Sequence, residues 1–217
     1  MFAHRSWLET PDVAPAAPEL YVRVLGPVDF VIDGAVIAPG SRLERKLLGA
    51  LALSVNHSVT AHQLADVLWA DDPPASVANT LQTYVSRLRH SLGPGRIISE
   101  DNSYALQLAP DELDALAFER LVGKAAGSRD DVTRCRAVCN AALSLWRGTA
   151  FGTFTDDDPF RLEALRLDEI RLYALELTLE CDLQLDNVEF AVGSLEALVE
   201  EHPYRERLWA LLVAGLA

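Results

Sequence analysis

Hydrophobic and polar residues alternate near the start of the chain, where the sequence LYVRVLGPVDFVIDGAVIAP runs from Leu20 to Pro39. β-Branched residues are frequent there, and Asp33-Gly34 is a typical hairpin turn. The pattern predicts two or three short antiparallel strands. The preceding residues are rich in Pro and Ala and show no periodicity, so we expect residues 1–19 to form a flexible tail.

Three segments with helical spacing of hydrophobic residues follow the strands. Ser41 is a suitable N-cap for the first helix, and Thr60 with Gln63 predicts a capping box at the start of the second. The helices are predicted over about residues 41–55, 60–70 and 75–92. The sequence RIISEDNSYALQL then predicts two short strands around a polar turn. Strands, three helices and a final hairpin follow one another as in a winged helix-turn-helix.

From Pro110 onward the hydrophobic pattern is helical throughout. The predicted helices cover residues 114–126, 131–147, 159–185, 187–201 and 204–215. Helix pairs recur at roughly 35 residues, which is the scale of tetratricopeptide-type repeats. We therefore predict a mainly α fold with a small β component. A winged helix-turn-helix DNA-binding domain covers residues 20–109, and an all-α, tetratricopeptide-like domain, expected to be incomplete at its C-terminus, covers 110–217.

Charged residues are distributed unevenly along the chain. Its 32 acidic residues outnumber its 19 Lys and Arg, and the net charge of −13 argues against general nucleic-acid binding. Most of this negative charge belongs to residues 110–217, whereas residues 20–109 are close to neutral. Within the N-terminal part, the 27 residues from Pro73 to Ser99 contain no Asp or Glu. We expect the two parts to have different functions.

The third predicted helix lies inside this acid-free window. Its apolar residues form one stripe at helical spacing: Val77, Leu81, Val85, Leu88 and Leu92. Its remaining surface carries hydrogen-bond donors and no carboxylate: Asn79, Gln82, Thr83, Ser86, Arg87, Arg89 and His90. Such a surface suits the major groove of DNA, where Arg binds guanine and Asn or Gln binds adenine. Taken alone, it is also typical of an ordinary amphipathic helix with a solvated face.

Three cations, Arg42, Arg45 and Lys46, cluster at the start of the first predicted helix. Cations oppose the helix dipole at this end by a few tenths of a kcal/mol each, and a bound phosphate would offset that cost. In the alternative interpretation the cluster is a chance basic turn, in which Glu44 pairs with Arg45 or Lys46. The residues alone leave both interpretations open.

Several segments in order resemble the Streptomyces antibiotic regulatory proteins, transcriptional activators whose DNA-binding domain is similar to that of OmpR-type response regulators. The N-terminal segments are LGPVDFVIDG, SRLERKLLGALAL and LADVLWADDPPASVANTLQTYVSRLRHSLG. The later segments PDELDALAFERLV, ALSLWRG and LEALVEEHPYRERLWALL resemble the bacterial transcriptional activation domain of that family. The resemblance covers the chain from about Leu20 to its end.

The resemblance implies that a side-by-side homodimer binds direct repeats in double-stranded promoter DNA. Combined with the residue patterns above, it gives these candidate DNA contacts: Arg42, Arg45, Lys46, Asn79, Thr83, Arg87, Arg89, His90 and Tyr104. It also implies that the loop between the second and third helices contacts RNA polymerase. The candidate residues of this loop are Trp69, Asp71 and Asp72.

The predicted wing departs from the family pattern. There the hairpin usually has a Gly-x-Gly-Tyr-Arg type sequence, whose basic residue reaches the minor groove. Here the turn is SEDNSYAL, which keeps Tyr104 but adds Glu100 and Asp101. Asn102 suits the turn conformation. Whether this acidic wing contacts DNA is left open by the sequence.

Other kinds of site find little support. No secretory signal or membrane-spanning run is visible, so we expect a cytoplasmic protein without a membrane partner. Cys135, Cys139 and Cys181 lack metal-ligand spacing and are expected to be buried thiols. Asp156-Asp157-Asp158 precedes Pro159 and is expected to cap the long helix rather than bind a metal. Since no catalytic motif is found, we predict no enzyme activity, cofactor or metal.

These observations predict a sequence-specific DNA-binding transcriptional activator. Its third helix would lie in the major groove, and its helical domain would serve dimerisation or activation. The resemblance suggests a secondary-metabolite gene cluster as the target. The competing hypothesis is a protein-interaction adaptor whose winged helix no longer binds DNA, which the net charge of −13 and the acidic wing favour.

Overall fold

The computed structural model describes residues 20–70 and 72–217. The predicted tail, residues 1–19, and Asp71 of the predicted polymerase-contact loop lie outside these described residues. The strands are β1 (Leu20–Arg23), β2 (Asp29–Ile32), β3 (Ala35–Ile37), β4 (Val59–Thr60), β5 (Ile97–Glu100) and β6 (Ser103–Leu106). The helices are α1 (Arg42–Leu53), α2 (Ala61–Trp69), α3 (Val77–Leu92), α4 (Asp114–Ala126), α5 (Val132–Leu143), α6 (Phe160–Gln184), α7 (Val188–Glu201) and α8 (Glu206–Leu216). Short 3-10 turns lie at Pro110–Glu112 and Gly152–Phe154.

Two small antiparallel sheets flank the first three helices. Strands β1, β2 and β3 form the first in chain order, and β2 turns into β3 through Asp33 and Gly34, whose φ angles are 49° and 80°. The predicted hairpin turn is thus confirmed. The second sheet has the order β4-β6-β5, and its wing turn uses Asp101 and Asn102 at φ angles of 45° and 59°. The sequence pattern did not predict β4, which is only two residues long.

Helices α1 to α3 begin and end close to the predicted residues. The Ser41 side chain accepts a hydrogen bond from the backbone N–H of Glu44 and caps α1. The predicted capping box of α2 is present, with Thr60 Oγ1 accepting from the Gln63 backbone and the Gln63 side chain accepting from the Thr60 backbone. Helix α3 ends at Gly93, whose φ of 92° is readily adopted by glycine. The winged helix-turn-helix order is therefore confirmed.

The C-terminal half is helical, as predicted, and α5 ends earlier than expected. The chain after Leu143 turns back toward the first sheet. There the backbone N–H of Arg147 donates to the carbonyl oxygen of Leu25 at 2.8 Å, and the N–H of Phe151 donates to that of Val24 at 2.7 Å. The expected cap of α6 by the aspartate run is wrong in detail, because its N-cap Pro159 has no side-chain cap hydrogen bond.

The two halves share one continuous hydrophobic core. Its buried residues come from strands β1, β2, β5 and β6 and from helices α1 to α6. In the middle of α1, Gly49 lies against the ring of Phe160 at the start of α6. Polar links reinforce this contact, since the carboxylate of Asp114 accepts hydrogen bonds from the backbone N–H groups of Val24 and Leu25. The winged helix and the helical half therefore pack as one unit in this structure.

Candidate nucleic-acid interface

Helix α3 has one buried face and one exposed face, divided as its sequence predicts. Leu81, Val85, Leu88 and Leu92 are buried in the core. The opposite face is exposed to solvent and contains Asn79, Gln82, Thr83, Ser86, Arg87 and His90. The Thr83 hydroxyl donates to the carbonyl oxygen of Asn79 at 2.8 Å and keeps its lone pairs free to accept. The helical half does not cover this face.

Arg87 is held by a carboxylate from another helix. Its Nη1 donates to Oε1 of Glu44 at 2.8 Å, although the two residues are 43 positions apart. The Glu44 side chain is 7% exposed and that of Arg87 is 61% exposed. The hydrogen bond to Glu44 raises the pKa of Arg87 above its ordinary value. The pairing of Glu44 with Arg45 or Lys46, considered from the sequence, does not occur.

The three cations at the start of α1 have different environments. Arg42 is exposed, and its guanidinium lies 5.1 Å from the centre of the Phe154 ring. Arg45 is half-buried and donates from Nη1 to the carbonyl oxygen of Pro39 at 3.4 Å. Lys46 is 8% exposed, and its Nζ lies 2.7 Å from Oδ2 of Asp157. The prediction that Lys46 contacts DNA is therefore withdrawn, because its charge is buried and paired inside the protein.

The wing is connected to α3 through Arg89. This half-buried side chain donates from Nε to the carbonyl oxygen of Ile97 at 2.9 Å and also hydrogen-bonds Ser99. Its guanidinium therefore holds the β5–β6 hairpin against α3 rather than standing free on the surface. Tyr104 is 8% exposed and belongs to the core. The prediction that it contacts DNA at the surface is therefore withdrawn. Glu100 and Asp101 are exposed, as the acidic wing sequence suggested.

Comparisons with known proteins match both halves of the chain. A model of the transcriptional regulatory protein C-terminal family matches residues 38–102, and one of the bacterial transcriptional activator domain matches 113–217. Regulatory protein DnrI of Streptomyces peucetius is 33% identical over 210 residues, which cover 91% of this chain and 77% of DnrI. Regulatory protein AfsR of Streptomyces griseus is 36% identical over 213 residues, which cover 95% of this chain and 21% of AfsR.

A solved structure also resembles this chain over most of its length. Mycobacterium tuberculosis EmbR, in complex with a low-affinity phosphopeptide, has a TM-score of 0.81 and 28% identity over 91% of this chain and 54% of that chain. The chain belongs to the Streptomyces antibiotic regulatory protein family. The predicted combination of an OmpR-type DNA-binding domain with a bacterial transcriptional activator domain is thus confirmed. This family member spans 21% of the length of S. griseus AfsR, so it corresponds to one part of that larger regulator.

In this member of the family, an aromatic pair lies at the end of α2. The half-buried Trp69 stacks on Tyr84 of α3, with ring centres 6.4 Å apart. The backbone then reverses at Ala70, whose φ is 47°. Asp72 is exposed, and its N–H donates to the carbonyl oxygen of Trp69 at 2.9 Å. Trp69 therefore packs against α3, while Asp72 lies on the outer surface.

The remaining candidate sites of this regulator are its cysteines and its possible metal-ligating side chains. Cys135, Cys139 and Cys181 are buried free thiols, as expected, and burial raises the pKa of Cys139 to about 11 and that of Cys181 to about 12. Among the described residues, no group of three or more His, Cys, Asp or Glu side chains is arranged to hold a metal ion. None of the helices in the described part of the chain combines the length and the apolar composition needed to cross a bilayer.

Sequence reasoning missed one residue of this interface, Glu44. The sequence places Glu44 beside Arg45 and Lys46, which are its near neighbours, whereas its partner belongs to α3. A helical pattern does indicate that Glu44 lies one turn before the apolar positions Leu47 and Leu48. That spacing was the available sign that its side chain points inward.

Proposed function

We propose that this regulator binds double-stranded promoter DNA sequence-specifically and activates transcription. Helix α3 would lie in the major groove, with Asn79, Thr83, Arg87 and His90 facing the bases or phosphates. One observation carries the proposal: the exposed face of α3 is rich in hydrogen-bond donors and has no carboxylate of its own, in a chain with a net charge of −13. Family membership supports the same function.

Finer features of the proposal follow from the family. Two copies would bind side by side on direct repeats, with the helical domain serving dimerisation or activation. The loop containing Trp69 and Asp72 would contact RNA polymerase, and the exposed position of Asp72 is compatible with this role. Arg42 and Arg45 would contact phosphate beside α3. The target would be a secondary-metabolite gene cluster in the cytoplasm of a bacterium.

The test uses the whole chain, because the core is shared between its halves. Duplexes bound by the chain would be enriched from a random-sequence pool at about 50 mM salt and compared with the unselected pool in a mobility-shift titration. Enrichment of one motif and a fall in affinity as salt rises would support the proposal, since each phosphate neutralised contributes roughly one unit of log–log slope. A chain that enriches no sequence would contradict it.

Arg87→Ala tests the α3 face directly. We expect it to weaken binding to the enriched duplex by about 1–3 kcal/mol, because it removes a base or phosphate contact. The control is Arg134→Ala, which removes the same charge from an exposed position on α5 in the acidic half. Equal effects of the two substitutions would show that only the net charge matters, and would argue against a groove-bound α3.

The alternative function is that of a protein-interaction adaptor. The exposed acids Glu100 and Asp101 favour it, because they place negative charge where a wing would approach the DNA backbone. Under this alternative, no mobility shift would occur at about 50 mM salt, with the chain alone or beside RNA polymerase. The same titration therefore separates the two functions.

A further inference from the structure

A buried carboxylate lies directly beneath the exposed face of α3. Glu44 comes from α1, and its side chain is 7% exposed. One of its oxygens, Oε1, accepts the hydrogen bond from Arg87. The other, Oε2, lies 3.2 Å from the position that a Cβ atom on Gly40 would occupy. The carboxylate is thus enclosed by protein on one side and by the Arg87 guanidinium on the other.

This pair is poorly explained as a stabilising ion pair. Burying a carboxylate has a large desolvation cost, and an apolar residue of similar size is often at least as stable at such a position. The position of Glu44 in the first turn of α1 reduces this cost, because the N-terminal end of a helix favours negative charge. Arg87, at 61% exposure, still keeps most of its side chain in water.

The geometry gives Arg87 a fixed direction. One nitrogen, Nη1, is bonded to Glu44, while a guanidinium carries five N–H donors in a rigid plane. Arg87 belongs to the exposed side of α3 that also carries Thr83 and His90, and its 61% exposure leaves donors accessible to a ligand on that side. A guanidinium fixed at one nitrogen loses less freedom when it binds the paired acceptors of a guanine edge.

We infer that Glu44 is a positioning residue that orients Arg87 for base recognition. The inference rests on the proposed DNA-binding function and deepens it. It assigns a role to the carboxylate that pairs with Arg87: Glu44 belongs to another helix, is buried, and has its charge balanced by this arginine. Arg87 then contributes more to the choice of sequence than to the general attraction between protein and DNA.

The experiment compares affinity for the enriched duplex with affinity for the unselected pool. Glu44→Gln keeps the size and one acceptor of the side chain but removes its charge, so Arg87 is held less firmly. We expect the ratio of the two affinities to fall about tenfold, in the range of one bidentate base contact. Affinity for the unselected pool should stay the same or rise, because a negative charge near the phosphates is lost.

A double-mutant cycle distinguishes positioning from a structural role. In an Arg87→Ala background, Glu44→Gln should cause no further loss of discrimination, because its effect passes through Arg87. The matched control is Glu176→Gln in the helical half, where a carboxylate with 1% exposed side chain accepts a hydrogen bond from Nε of Arg205 at 2.7 Å. This control should lower the unfolding midpoint without changing the affinity ratio.

Arg87→Lys keeps the experiment decisive if Glu44→Gln does not fold. Lysine retains the charge and its attraction to Glu44 but lacks the planar fork, so discrimination should fall while binding to the unselected pool persists. Unchanged discrimination in Glu44→Gln, or in Arg87→Lys where that variant has to be used, would overturn the positioning role and leave the proposed function standing. If the unsubstituted chain enriches no sequence, the proposed DNA-binding function is contradicted before the positioning role can be tested.

Discussion

At the scale of single residues, Asp114 shows how one side chain connects the two halves. It belongs to the first turn of α4, is 1% exposed, and its two oxygens accept from the N–H groups of Val24 and Leu25 at 2.7 and 3.0 Å. Burial outweighs these hydrogen bonds and the nearby Arg147, and raises the pKa of Asp114 from 3.8 to about 6. The contact between the two halves therefore depends on a carboxyl group whose ionisation is unfavourable in the folded chain.

This raised pKa predicts a specific dependence of stability on pH. The folded chain binds the proton of Asp114 more tightly than the unfolded chain, so the contribution of Asp114 to stability falls as pH rises from about 4 to about 6. At about 1.4 kcal/mol per pKa unit, the change is of the order of 3 kcal/mol. Urea unfolding across this pH range should show that loss relative to Asp114→Asn, which carries no proton to lose. A difference between the two proteins that does not vary with pH would contradict the prediction.

At the scale of secondary-structure elements, local signals were sufficient for the helices and the turns. The capping box of Thr60 and Gln63 depends on residues three positions apart, and Asp33-Gly34 encodes its own turn. The side-chain partners were not predictable in this way. Glu44 and Arg87 belong to different helices, and Lys46 meets an aspartate of the other half, so their pairing depends on packing that a periodic pattern does not encode.

The same limit applied to the wing. Tyr104 was expected at the DNA surface because it matched a family position, yet the register of β6 turns it into the core. It pairs with Val59 on one side and with Ser99 on the other. The missed strand β4 is the element that completes this sheet. Since one residue of shift moves a strand's side chains to the opposite face, the inward direction of Tyr104 follows from strand pairing, not from the residue type.

Helix α1 carries the packing contact between the halves, and this predicts the effect of filling it. A Cβ at Gly49 would lie 3.0 Å from Cε1 of Phe160, so Gly49→Leu should overpack the contact and lower the free energy of unfolding by about 1–3 kcal/mol. The control is Gly123→Leu in α4, where an added Cβ meets nothing within 4 Å. That substitution should be neutral or stabilising by about 0.5–1 kcal/mol, because glycine is a poor helix former. Urea titration of both variants measures the difference, and a loss of equal size in both would exclude a special role for the Phe160 contact.

At the scale of the whole molecule, the charge divides the chain into two halves, but the hydrophobic core does not. Negative charge is concentrated in residues 110–217, whereas the core runs through both halves. Under the proposed function, an acidic body packed against a cation-bearing helix would repel DNA in most orientations and leave α3 as the favourable approach. The contacts of α1 and α4 between the halves would then matter for recognition, because they place the acidic surface away from the duplex.

The shared core predicts one cooperative unfolding transition for the intact chain, despite its two family domains. The chain has four tryptophans, so the test uses two variants, one retaining only Trp69 in the winged helix and one retaining only Trp146 in the helical half. The fluorescence of both variants should change at the same urea concentration as the far-UV circular dichroism. A fragment of residues 20–109 should unfold at lower urea, because it exposes the apolar surface around Gly49 and lacks Asp114, the acceptor for two buried N–H groups. Two separated transitions, or a fragment as stable as the intact chain, would mean that the contact between the halves contributes little to stability. In that case the orientation of α3 relative to the acidic body would no longer be fixed by the core.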